Sequence, residues 1–128
     1  MSEPAIIYIA PPVPDERVIA YRLVGSVRTE EMKELMARIA AVVENGHKVR
    51  LYQELAGFDG FEFGVLVEKI KASKTLWGGI EKIAVVSGSK AYRFGVGKIA
   101  DPLTPMDMHA FKPEEREAAF AWLQSDPA

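Results

Sequence analysis

The stretch Ile80-Glu-Lys-Ile-Ala-Val-Val-Ser-Gly88 decides the fold class. Its apolar run, Ile83 to Val86, lacks the alternation of a half-solvated strand and ends at a Ser-Gly turn. Such a run reads as a strand buried on both faces, in the middle of a parallel sheet flanked by helices. The chain is thereby placed in the α/β class.

Working outward, Ile6 to Ile9 is a short β-prone run closed by Pro11-Pro-Val-Pro-Asp-Glu16, and Arg17 to Val24 follows as a second strand. The prolines favour pairing these two as an edge hairpin. Gly25-Ser-Val-Arg28 reads as a turn, and Thr29 as the N-cap of a helix with Glu30 and Glu31 in its first turn. Met32, Leu35, Met36, Ile39, Val42 and Val43 recur at helical spacing, and Gly46 supplies the stop. A third strand spans Val49–Leu55, broken by Gly57-Phe-Asp-Gly60.

A helix over Phe61–Trp77, the strand Ile80–Val86, a short helix over about Lys90–Ile99 and a strand Met106–Phe111 come next. Pro113 opens the last helix, where a missing N–H does no harm, and Ala119, Phe120, Trp122 and Leu123 form its apolar face. The order ββαβαβαβα, joined by right-handed crossovers, predicts a mainly parallel sheet of four or five strands with helices packed on it. Such a sheet places its working site outside the carboxyl ends of the strands.

The totals are those of one domain over residues 1–128, with its core at about 17–124. At 48% hydrophobic and 27% charged residues, the composition is that of a globular protein. A net charge of −2 from 16 basic and 18 acidic residues lacks the footprint of a nucleic-acid binder. Without cysteine, disulfides, thiolate metal sites and Cys nucleophiles are excluded. The N-terminus has no signal-peptide pattern, and no apolar run approaches the roughly 18 residues of a membrane span. The expectation is a soluble cytoplasmic domain with no stable membrane insertion.

The N-terminal strand pair, the helix at Thr29–Asn45, the strand ending in Gly57-Phe-Asp-Gly60, Ile80–Gly88 and the terminal Phe111…Glu117-Ala-Ala-Phe-Ala-Trp-Leu123 together resemble the SpoIIAA-like family. Its members are small bacterial proteins of the STAS fold, related to the lipid-binding CRAL-TRIO domains. The resemblance covers about Val18 to Leu123. It implies a non-enzymatic module, often a dimer, whose relatives bind apolar ligands or partner proteins. In anti-sigma-factor antagonists of this fold a phosphorylatable serine follows an aspartate after the third strand. Here Glu54 to Phe61 holds no serine or threonine, and Asp59 is followed by Gly60, so phospho-serine switching is not expected.

Candidate chemistry is sparse. Asp107 and His109 share one face of a strand, but no third metal ligand suggests itself. Gly95-Val-Gly-Lys-Ile-Ala100 matches a dinucleotide fingerprint by letters, yet follows a helix-like segment instead of a strand. Ser26, Ser87 and Ser89 sit near strand ends outside any nucleophile elbow. A small enzyme built on Asp107, His109 or these serines is the third-ranked reading, and no cofactor is implied.

Lys69, Lys71, Lys74 and Lys82 suit a solvated helix face as well as a strip for anionic lipid heads. The aromatics Phe58, Phe61 and Phe63, with Tyr92 and Phe94, crowd one predicted rim together with Trp77. Apolar side chains in a glycine-flanked loop fit a ligand contact better than the same residues mid-helix. The leading expectation is a binding module holding an apolar or amphipathic small molecule between Phe58–Phe63, Trp77 and Tyr92–Phe94. A protein–protein module, as a homodimer or a signalling partner, is the alternative.

Overall fold

The computed structural model describes residues 4–61, 78–88 and 107–125, with 58–61 as backbone alone. Five strands form one sheet in the order β1-β2-β3-β4-β5: Ile6–Ile9, Val18–Val27, Val49–Phe61, Ile80–Ser87 and Asp107–Phe111. β1 runs antiparallel to β2, while β2 through β5 are mutually parallel. The edge hairpin and the mainly parallel α/β sheet are therefore both present. The helices expected over Phe61–Trp77 and Lys90–Ile99 lie outside the described residues, apart from Phe61 itself, which ends β3.

Side-chain alternation sorts the strands onto two faces. Ile19, Tyr21 and Leu23 of β2, Val49 and Leu51 of β3, and Ile83 and Val85 of β4 join one core with Met32, Leu35 and Ile39 of α1, Thr29–Glu44. Val18, Ala20, Tyr52, Ala84 and Val86 form the opposite core with Ala119, Phe120 and Leu123 of α2, Arg116–Gln124. Ile83 to Val86 is buried on both faces, as its unbroken apolar run predicts. Ala84 and Ala119, each fully buried, leave room for α2 to lie close on the sheet. Into that space Phe120 stacks its ring on Tyr52, with centroids 4.0 Å apart and planes 8° from parallel.

α1 starts one residue earlier than a Thr29 cap implies: Arg28 is the capping residue, and Glu31 Oε1 accepts its N–H at 3.3 Å. The other Glu31 oxygen accepts the N–H groups of Ala5 and Ile6 at 2.7 and 2.9 Å, tying the start of β1 to the first turn of α1. At the far end, Gly46 N–H bonds Val43 O and His47 N–H bonds Val42 O, with Gly46 at φ 84°. This left-handed stop is the one the glycine predicts.

Two glycine-rich segments read as chain breaks are strand. β2 continues through Gly25 to Val27, and β3 through Gly57 and Gly60 to Phe61. Register between them steps from Leu23–Leu55 to Gly25–Phe58 and again to Ser26–Gly60, so β3 bulges twice against β2. Gly25 at φ 72° and Gly57 at φ 77° adopt the backbone that lets a bulged strand bend without ending. Pro113 opens a 3-10 turn, Pro113–Glu115, that leads directly into α2.

Candidate functional site

Because β2 to β5 are parallel, their carboxyl ends at Val27, Phe61, Ser87 and Phe111 lie on one rim of the sheet. The bulged end of β3 pairs Phe58 with Gly25 and Phe61 with Val27. Both aromatics thus reach the rim by backbone position. Phe63, Trp77, Tyr92 and Phe94, the other members of the expected ligand site, lie outside the described residues. So do Ser89, the Gly95–Ala100 pattern and Lys69, Lys71 and Lys74.

Behind the rim, on the α2 face, sits a charge cluster that the sequence reading did not assemble. Glu54 is 3% exposed and every direction around its carboxylate is used. Oε1 accepts Arg116 Nε at 2.7 Å and the Tyr52 hydroxyl at 2.8 Å. Oε2 accepts Arg22 Nε at 2.8 Å and an Arg116 terminal nitrogen at 3.1 Å. The Arg116 hydrogen bonds pull the Glu54 pKa down to about 2, aided by Tyr52 and Arg22 and opposed by burial. Burial, followed by the hydrogen bond to Glu54, pushes Tyr52 well above the usual phenol range. A carboxylate that accepts so many hydrogen bonds is fixed in its ionised form and is poorly matched to proton transfer near neutrality.

A second buried cation closes the other end of α2. Arg50, 2% exposed, donates Nε to Glu81 at 2.6 Å and a terminal nitrogen to the carbonyls of Leu123 and Ser125 at 2.8 and 2.9 Å. Lys82 Nζ adds bonds to the carbonyls of Trp122 and Ser125 at 3.0 and 2.6 Å. Carbonyls left over at a helix C-terminus attract cations, so Arg50 and Lys82 anchor this end of α2 to the sheet. Lys82 is thus turned onto the helix end, where the lipid-strip reading has it facing outward.

The local signal for both clusters was present. Arg50, Tyr52 and Glu54 alternate along β3 and so share one face, on a strand whose other face carries Val49 and Leu51. Charged residues at those positions require partners from whatever covers them. Which partners they find depends on β2 and α2.

Asp107 and His109 do meet, with Nε2 3.1 Å from Oδ1, and the imidazole packs 4.5 Å from the Trp122 ring. Both side chains are more than half exposed. Among the described residues, no three His, Asp or Glu side chains are grouped to hold a metal ion. Ser26 is exposed on the rim, whereas Ser87 is buried at the end of β4. His47 lies 3.4 Å from Glu16 at the exposed end of α1. No helix among the described residues is long and apolar enough to cross a membrane.

No functionally curated protein matches the chain. An uncharacterized protein of the DUF3478 family from Shewanella loihica PV-4, with a SpoIIAA-like fold, superposes with a TM-score of 0.70 at 16% identity. That match covers 96% of this chain and 98% of the other, and at such identity it speaks for the fold alone. The SpoIIAA-like family model matches residues 18–124, from the first residue of β2 to the last of α2. With the parallel sheet and the terminal helix in place over that span, the chain belongs to the SpoIIAA-like family.

Proposed function

We propose that this domain is a non-catalytic binding module that takes an apolar or amphipathic, lipid-like small molecule at the rim formed by the carboxyl ends of its strands. The observation that carries the reading is the doubly bulged end of β3, which brings Phe58 beside Gly25 and Phe61 beside Val27. Phe63, Trp77, Tyr92 and Phe94 complete the proposed contact set. Burying two or three aromatic side chains at about 25 cal/mol per Å² gives several kcal/mol, enough for useful affinity without a catalytic group. The ionised, fully hydrogen-bonded state of Glu54 supports a scaffolding role for the polar centre.

The test is native mass spectrometry of the protein isolated from its own host, paired with a fatty-acid and lipid binding screen. Co-purifying apolar mass, or saturable binding weakened by Phe58→Ala or Phe61→Ala, is the expected result. A clean apo mass with no binding in the screen removes the reading.

A second reading is favoured by the apolar side chains beside the hairpin. Ile7 is 40% exposed and Val24 37%, and Val13 in the following loop is 62% exposed. These suit a protein partner, either a second copy or a signalling protein in the cytoplasm. Light scattering that returns a strict monomer at high concentration counts against the homodimer.

A further inference from the structure

We propose that Arg22 and Arg116 form a docking point for the carboxylate head of an amphipathic acid, held in position by the Glu54 they share. The inference rests on the rim reading above and names the head-group chemistry of the ligand proposed there.

Charge and donor count lead to it. Two guanidinium groups face one carboxylate, so the cluster carries a net positive charge. Glu54 Oε2 accepts Arg22 Nε and an Arg116 terminal nitrogen, which places the two groups side by side. With Tyr52 and Arg116 Nε on Oε1, the carboxylate has no direction left for further donors. Among the described residues, Arg22 therefore keeps both terminal nitrogens, and Arg116 one, without a protein acceptor. Their side chains are 38% and 51% exposed. A guanidinium fork matches a planar carboxylate in two parallel hydrogen bonds, and one already immobilised by Glu54 gives up less freedom on binding.

The surroundings select an acid with an apolar tail. Ile7 pairs with Arg22 in the β1–β2 ladder, and its side chain is among the most exposed large apolar groups described. Val24, next on the same face of β2, is exposed as well. From Arg22 to Gly25, the position that pairs with Phe58, is roughly 10 Å of strand, the reach of a medium-chain acyl tail. A head on the arginines and a tail laid over Val24 would end at the rim.

The experiment follows the arginine Nε–H and rim backbone resonances of isotope-labelled full-length protein at neutral pH and constant ionic strength. The probes are octanoate, acetate and octanol. Octanoate is expected to move the Arg22 and Arg116 signals saturably, at least about tenfold more tightly than acetate. Octanol should leave these signals in place. Arg22→Gln, which retains the two-pronged Arg116–Glu54 pair, should weaken octanoate about tenfold, and Arg22→Lys should restore charge without restoring affinity.

Octanoate and octanol shifting the rim amides alike, with the arginine signals still, overturns the head-group assignment and leaves the rim reading standing. Acetate binding as tightly as octanoate assigns the cluster to a small free anion and overturns the amphipathic ligand. Unchanged octanoate affinity in Arg22→Gln also overturns the proposal. Arginine signals that respond to octanoate with rim amides unmoved support the docking point and count against the rim.

Discussion

Arg116, in the first turn of α2, donates two hydrogen bonds to Glu54 on β3, a residue 62 positions earlier in the chain. Arg50, four residues before Glu54 on the same face, receives the opposite end of the same helix through Leu123 and Ser125. α2 is thus pinned at both ends by one strand, with the Tyr52–Phe120 stack between the pins.

The Glu54 ion cluster gives stability a specific acid limb. Its folded pKa lies near 2 against an ordinary value of 4.5, so the contribution is complete above the unfolded value and is lost as pH falls through the folded one. Converted at 1.36 kcal/mol per unit, the effect is about 3 kcal/mol. Urea unfolding followed from neutral pH downward should lose this stability between about pH 4.5 and 2. In Glu54→Gln that part of the slope should vanish, leaving the limbs from Asp15, which Arg17 holds at about 2, and from Glu31, lowered by the N–H groups it accepts.

The alkaline side has the opposite sign. Burial raises Tyr21 and Tyr52 well above the phenol value of 10.0, and their hydroxyls donate to Gln53 and Glu54. Their neutral forms stabilise the fold fully below the unfolded pKa, and that contribution is lost as pH rises through the folded one. In an ultraviolet titration these two should therefore ionise only together with alkaline unfolding. Early, reversible titration of all four tyrosines would contradict the burial described.

The α2 anchor is expected to be cooperative. Phe120→Ala removes the ring stacked on Tyr52 and should cost about 3–5 kcal/mol in chemical denaturation. Tyr52→Phe keeps the stack and drops one hydrogen bond to a charged acceptor, for about 1–2 kcal/mol.

Arg50→Ala leaves Glu81 without its partner and the buried Leu123 carbonyl of α2 without its donor. A loss of about 3–5 kcal/mol is expected. Amide hydrogen exchange should rise over 116–124 before it rises in β3 or β4. Equal acceleration throughout the sheet would mean that α2 does not open as a separate unit.

Gly57 separates backbone strain from crowding. A Cβ there would meet no atom within 4 Å, yet φ is 77°. Gly57→Ala should cost about 1–2 kcal/mol from the left-handed backbone alone. A substitution that proves neutral would mean the bulge relaxes, and the register of Phe58 and Phe61 with β2 should then shift.

Elements governed by neighbours in sequence were legible from residues alone. The two-faced burial of Ile83–Val86, the apolar stripe of α1, its glycine stop and the proline start leading into α2 all appear as read. Gly25 and Gly57–Gly60 were read as breaks because glycine favours turns in isolation. In the folded chain each segment is held by pairing between β2 and β3, and ladder hydrogen bonds turn a break into a bulge.

Local pattern alone, the period of two along strands and nearly four along helices, determined that this chain is a mainly parallel α/β domain and which side chains of each element face inward. It also placed Arg50, Tyr52 and Glu54 on one face of β3. Tertiary structure alone decided that Arg22 and Arg116 converge on Glu54 and that Arg50 closes the end of α2. Those contacts join residues 32 to 75 positions apart, and strand order, register and helix placement bring them together. No periodicity within one segment encodes that geometry.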